Sequence, residues 1–218
     1  MIPAACIFDL DGVIVETAHS HYKAWKKLAD TLNIPFGKEQ NEALKGVSRR
    51  KSLEKILAMG NKSISEERFQ KLMDQKNKWY QEDIANLTPD DILEGIPEFL
   101  GALKKMGIKL AIGSSSKNTK YIMDYLQIND LFDAVIDGTM VTHTKPDPEV
   151  FLRGAEALGV SPSDCIVFED AISGVQAAKA GGMKCVGVGS EENLGEADLV
   201  IQTFKGLTPK KLFEQLNT

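Results

Sequence analysis

Short apolar runs alternating with amphipathic helical stretches fill the second half of the chain, and that alternation restricts the fold more than any other feature. Residues 96–106 carry apolar side chains at helical spacing and stop at Gly107, and the apolar run 108–112 follows. The pattern repeats as helix 118–126 with run 134–136, helix 149–158 ended by Gly159 with run 165–168, and helix 171–180 ended by Gly181 with run 185–188. A short run at 199–201 and a helix beginning at Pro209 complete the series. Consecutive parallel strands need a crossover, usually a helix, so such a series implies a parallel sheet with helices on both faces. A further apolar run, residues 4–10, opens the chain and is punctuated by Asp9 before Asp11-Gly12. Between it and the alternating half lie only helical patterns. Tyr22, Trp25, Leu28, Ala29 and Leu32 mark a helix over 19–33. Ser48 caps a second over 49–59, and Ser65 caps a third over 66–83, with Ile64 placed against Phe69. The expected architecture is α/β: a Rossmann-like parallel-sheet core (1–16 and 85–218) with a small all-helical unit (17–84) inserted after the first strand.

Charge narrows the classes of partner. Thirty-one acidic residues against 26 basic ones give a formal charge of −5. That leaves no electrostatic footprint for nucleic acid or an anionic membrane surface, so any phosphate must be gripped by a few placed cations. The three cysteines, Cys6, Cys165 and Cys185, lack metal-ligand spacing and lie in apolar runs, as expected of buried thiols in a reducing compartment. Asp9 and Asp11 interrupt the only N-terminal stretch that could act as a leader, and no run approaches the ~20 apolar residues of a membrane span. A soluble cytoplasmic protein is the expectation.

In an open α/β sheet the reactive groups gather where the carboxyl ends of the strands meet water. Here those ends are polar. Asp9 and Asp11, two apart, point to the same side, and Glu169 and Asp170 end another strand. Such carboxylates repel one another unless a cation lies among them, and oxygen ligands with water suit Mg²⁺. Isolated, each Asp would simply start a turn; four on two strand ends argue for a metal. Ser114, Ser115 and Ser116, then Lys117-Asn118 at a helix start, offer hydroxyls and free N–H groups to an anion, or an ordinary helix cap. Lys145 sits in Thr-Lys-Pro-Asp-Pro, where two prolines limit where its ammonium can reach.

In this order, Phe-Asp-Leu-Asp-Gly-Val with Thr17, the serine at Ser114, Lys145 before proline, and Glu169-Asp170 resemble the haloacid dehalogenase-like superfamily of phosphotransferases across essentially the whole chain. The stretches 21–25 (His-Tyr-Lys-Ala-Trp), 44–57 (Leu-Lys-Gly-Val-Ser-Arg onward), Lys76-Asn77, 114–118 and Leu194-Gly195 are similar to the β-phosphoglucomutase family within it. The resemblance implies Asp9 as nucleophile and Asp11 as general acid and base. It implies Mg²⁺ held by Asp9, the backbone carbonyl of Asp11 and Asp170, with Glu169 as a further ligand or a supporting partner. Ser114 and Lys145 would hold the transferring phosphoryl group. A mutase must also grip a second phosphate, and Arg49, whose guanidinium binds phosphate bidentately, would do so with Ser116, Lys117 and Asn118. Trp25, Lys45, Gly46, Val47, Ser48, Ser52, Lys76 and Ser115 would shape the sugar pocket.

The implied reaction interconverts β-D-glucose 1-phosphate and glucose 6-phosphate through β-glucose 1,6-bisphosphate, on a phosphosugar-binding monomer. Two other readings stay open. A hydrolase of the same superfamily, cleaving sugar or nucleotide phosphates, would share every core residue. An idle member could serve as a binding module, against which the intact Asp9, Asp11, Lys145 and Asp170 set speaks. Three residues are assigned to closure of the helical unit: Glu16, Thr17 and His21, with Lys76 helping. Glu16 stands where the family pattern has Asp, and its longer arm changes how it can pair with His21 or Lys76. By themselves, His21 and Trp25 are equally readable as packing residues, and Arg49, Arg50 and Lys51 as a solvated basic face.

Overall fold

The computed structural model describes residues 2–216. Its sheet has six strands, all parallel, in the order β3-β2-β1-β4-β5-β6. Strand β1 (Ala5–Phe8) lies between β2 (Lys109–Gly113) and β4 (Cys165–Glu169). Strand β3 (Ala134–Ile136) closes one edge, and β5 (Lys184–Val188) and β6 (Leu199–Ile201) extend the other. Because side chains alternate along β1, Cys6 and Phe8 enter one hydrophobic cluster while Ala5 and Ile7 enter another on the opposite face. The first face packs α5 (Ile96–Lys105) and α6 (Thr119–Leu126), and the second packs α7 (Glu149–Leu158) and α8 (Ile172–Ala180). All three cysteines are free and buried in these layers.

A third cluster belongs to the helical insertion. Trp25, Leu28, Ala29 and Leu32 from α1 (Ala18–Thr31) meet Leu53, Ile56 and Leu57 from α3 (Arg49–Met59), and Phe69 and Met73 from α4 (Glu66–Ile84). Ser48 and Ser65 accept hydrogen bonds from the N–H groups of Lys51 and Arg68, the cap bonds expected of them. Ile64 packs, partly buried, against the same cluster. Where the insertion leaves and returns, the chain pairs with itself: Val15 bridges antiparallel to Ile92, and the Leu93 N–H donates to the Ile14 carbonyl at 2.9 Å.

Two short helices carry no readable period, α2 (Lys38–Glu42) and α9 (Glu191–Leu194). At five and four residues they are too brief for one. The helix α8 stops at Gly181 as expected; that residue caps it at φ −78°, and the next, Gly182 at φ +71°, takes the left-handed turn. A final helix, α10 (Pro209–Gln215), follows β6.

Candidate active site

The carboxyl ends of β1, β2 and β4 open onto one cavity of about 460 Å³, roofed by the helical insertion. Asp9, Asp11, Ser114 to Asn118 and Asp170 line it from the core, and Trp25, Lys45 to Arg49, Ser52 and Lys76 from the insertion, with Thr17 and His21 between them. Every predicted substrate, phosphate and catalytic residue reaches it except Lys145. Glu16 and Glu169 also stand outside.

Lys145 lies behind the floor. Its ammonium is fully buried, 2.6 Å from Asp9 Oδ1 and 2.5 Å from Glu169 Oε1. Phe151 lies 4.6 Å beneath it. The loop that delivers it is pinned by Glu149, whose carboxylate accepts the N–H groups of Thr142 and His143 and is thereby held down to a pKa of about 2. Burial pushes the Asp9 carboxyl up to about 7; the Lys145 charge works against that rise, and Glu169 and Asp11 add to it. Glu169 Oε2 accepts the Ala171 N–H. Both its oxygens are thus engaged away from the cavity, by Lys145 and the Ala171 N–H, the supporting position that stood as the alternative to a further metal ligand.

Asp170 does face the cavity. A side chain at Gly12, where φ is +86°, would collide with the Asp170 carboxylate, so that carboxylate lies against the backbone just after Asp11. Burial, with the charges of Glu169 and Asp9, raises the Asp170 carboxyl well above the usual range. Buried carboxylates that raise one another and sit beside a backbone carbonyl form a donor set for a hard divalent cation. Asp9, the Asp11 carbonyl and Asp170 fit Mg²⁺.

The Asp11 carboxylate turns towards the insertion. Its Oδ1 accepts hydrogen bonds from Thr17 Oγ1 and, at 3.3 Å, from the Tyr80 hydroxyl, and His21 Nε2 is 3.8 Å away. Burial raises its carboxyl, with the Thr17 and Tyr80 bonds opposing. His21 Nδ1 lies 3.0 Å from Lys76 Nζ, and burial, aided by the nearby Arg49 charge, holds the ring well below its ordinary pKa. If Lys76 donates to Nδ1, the remaining imidazole proton is on Nε2, facing Asp11. The Tyr80 ring lies against this ring, centroids 4.1 Å apart and tilted by 34°, and Tyr80 is wholly buried. The sequence reading missed it. Glu16 pairs with neither His21 nor Lys76; its carboxylate accepts the Ala18 N–H at 2.7 Å, at the start of α1.

Contacts between insertion and core surround the cavity. Asn118 is gripped on both sides of its amide: Nδ2 donates to Asn77 Oδ1 at 2.9 Å, and Oδ1 accepts from Gln81 Nε2 at 3.0 Å. Gly46, at φ +67°, approaches so closely that a Cβ would collide with Ser173, whose hydroxyl donates to the Lys45 carbonyl. Lys45 Nζ reaches to 3.9 Å from Asp170 and 3.1 Å from Glu42. Trp25 packs in the insertion's core and lines the cavity as well. Arg49 is half-buried at the cavity wall, whereas Arg50 is exposed and paired with Glu54 and Glu66. Thr144, also missed, lines the same wall, and its hydroxyl is buried with no hydrogen-bond partner among the described residues.

Residues 3–182 match the model of the haloacid dehalogenase-like hydrolase family. A β-phosphoglucomutase of Bacillus subtilis is 46% identical over 214 residues, spanning 97% of this chain and 94% of its own. A phosphorylated carbohydrates phosphatase of Thermotoga maritima is 30% identical over 215 residues, 97% of each. The crystal structure of a β-phosphoglucomutase from Clostridium difficile aligns with a TM-score of 0.95 at 43% identity, covering 100% of this chain and 98% of that one.

Proposed function

The chain belongs to the haloacid dehalogenase-like family, and on that premise we propose that it acts as a β-phosphoglucomutase, interconverting β-D-glucose 1-phosphate and glucose 6-phosphate. We take residues 17–84 as the cap, 1–16 with 85–218 as the catalytic core, and the working unit as a cytoplasmic monomer. Asp9, phosphorylated, gives its phosphoryl group to the sugar 6-hydroxyl, and Asp11 takes the hydroxyl proton. The β-glucose 1,6-bisphosphate so formed turns over in the cavity. Asp9 then attacks the C1 phosphate, the C1–oxygen leaves with the proton returned by Asp11, and glucose 6-phosphate departs.

The burial that raises the Asp11 carboxyl suits this exchange, because a carboxyl with an ordinary pKa is ionised and cannot donate. Ser114 and Lys145 steady the group in transfer, while Arg49 with Ser116, Lys117 and Asn118 holds the other phosphate. Mg²⁺, bound at Asp9, the Asp11 carbonyl and Asp170, would neutralise charge on the phosphoryl oxygens.

One observation carries the mutase over the phosphatase. The cavity that contains Asp9 also contains Arg49 from the insertion and Lys117 from the core, a second set of cations for a second phosphate. A hydrolase of a monophosphate has no use for both sets.

The test is phosphorus NMR of the protein with Mg²⁺, β-glucose 1-phosphate and a trace of the 1,6-bisphosphate. Glucose 6-phosphate should appear without matching inorganic phosphate. Inorganic phosphate rising with free glucose would mean a phosphatase.

A further inference from the structure

Lys76 occupies a core position on α4, in register with Phe69, Met73, Tyr80 and Ile84. Only 2% of it is exposed, its single hydrogen bond is to His21 Nδ1, and no carboxylate pairs with it among the described residues. Its Nζ lies 4.6 Å from the Trp25 ring and 4.7 Å from the Tyr80 ring, and it lines the same cavity as Arg49. A lysine buried without a carboxylate partner and beside another fixed cation is the environment that turns an ammonium into a nucleophilic amine, although the two ring faces, as cation–π partners, favour the ammonium.

From this placement we infer that Lys76 is a covalent capture site for phosphorylated aldehydes, which it binds reversibly as an imine. The inference rests on the cavity accepting phosphorylated ligands. The amine lone pair attacks the carbonyl carbon, one N–H proton passes to the carbonyl oxygen to give a carbinolamine hydroxyl, and that hydroxyl leaves as water with the second N–H proton as the C=N bond forms. No oxidant or further reactant is needed. Burial and the Arg49 charge drive the Lys76 ammonium well below its ordinary pKa, with Asp11 opposing. Each unit of lowering raises the neutral fraction about tenfold.

Two neighbouring lysines are held back. Burial works to neutralise Lys45, but Asp170 and Glu42 overcome it and raise the ammonium. Lys145 is locked between two carboxylates. The ligand class includes the open-chain form of any aldose phosphate, so a reducing sugar phosphate released here would itself be a substrate for capture.

The probe is pyridoxal 5′-phosphate, an aldehyde carrying a phosphate, with unphosphorylated pyridoxal as control. Each is incubated with the protein, trapped by borohydride as a secondary amine, and mapped by peptide mass spectrometry. The expected result is one adduct per chain on Lys76, at least about tenfold above exposed lysines such as Lys71, and about tenfold less with pyridoxal. Excess glucose 6-phosphate should protect, and the Lys76→Arg variant should lose the adduct. Labelling centred on Lys45 or Lys117, spread over the exposed lysines, or equal with both aldehydes overturns the inference. Because labelling is read without turnover, the two readings fail separately. A mutase without the adduct refutes the capture site alone, and an adduct without mutase turnover refutes the mutase alone.

Discussion

Replacing Lys145 by Met tests whether the floor of the site stands on its buried ion cluster. The substitution keeps an unbranched chain over Phe151 and removes only the charge that lies 2.6 Å from Asp9 and 2.5 Å from Glu169. At an effective dielectric near 20, each contact is about 6 kcal/mol of gross attraction, most of it offset by the desolvation of three charges. Breaking such a cluster from one side leaves two carboxylates facing each other out of water, at a net cost of about 3–5 kcal/mol. For a chain of this size that corresponds to a fall of roughly 10 °C in Tm.

The sign with pH follows from linkage. Without Lys145 the Asp9 carboxyl, already raised to about 7 by burial, loses the charge that opposes the rise, so the folded variant holds a proton that the unfolded chain releases. The deficit is therefore larger at pH 8 and shrinks as the pH falls to about 7, below which the parent's Asp9 carries its proton as well. Thermal unfolding of both proteins across pH 5–8 measures it. A variant within 2 °C of the parent at pH 8, or a deficit that grows on acidification, would falsify the account of Lys145 given above.

Three further outcomes are expected. Tyr80→Phe keeps the ring on His21 and deletes only the hydroxyl 3.3 Å from Asp11; loss of about 1.5 kcal/mol should lower kcat roughly tenfold with KM little changed, and a KM effect alone would count against it. Gly46→Ala places a methyl where Ser173 stands and strains a left-handed backbone, so steady-state kinetics should show KM rising several-fold and Tm should fall by a few degrees; an unaltered KM would show that the contact is dispensable. Because Asp9 is raised to about 7, stability should decline as the pH rises from about 4 to 7; Mg²⁺, which favours the ionised form, should then raise Tm more at pH 8 than at pH 5, and an equal gain at both would rule that coupling out.

Much of this was legible because the signals were local. Ser48 and Ser65 announced their helices through a side chain that bonds a backbone N–H three residues on. Asp9 and Asp11 broke an apolar run at the one place where a buried strand must surface. What stayed hidden depended on partners far along the chain. Tyr80 looked like one more apolar residue on α4, and only the fold sets its hydroxyl beside a residue 69 positions earlier. A signal was present all the same: Lys76 on the buried face of that helix, one turn before Tyr80, was a charge out of place. Glu169 was left open between ligand and supporting partner because two adjacent acids at a strand end look equivalent, although successive side chains leave a strand on opposite sides, and only Asp170 lines the cavity. Glu16 was expected to reach across the hinge, where a nearer N–H was available.

The crossing of Val15 with Ile92 has an architectural consequence. Because the outgoing and returning chains are stitched side by side, the sheet meets the whole insertion as it would meet a tight turn, with its ends already together. Loop-closure entropy grows only slowly with what lies beyond such a stitch. The core can therefore exchange one inserted unit for another, larger or smaller, without disturbing the register of β1 and β2, and the residues above Asp9 can be rewritten while those beneath it stay fixed.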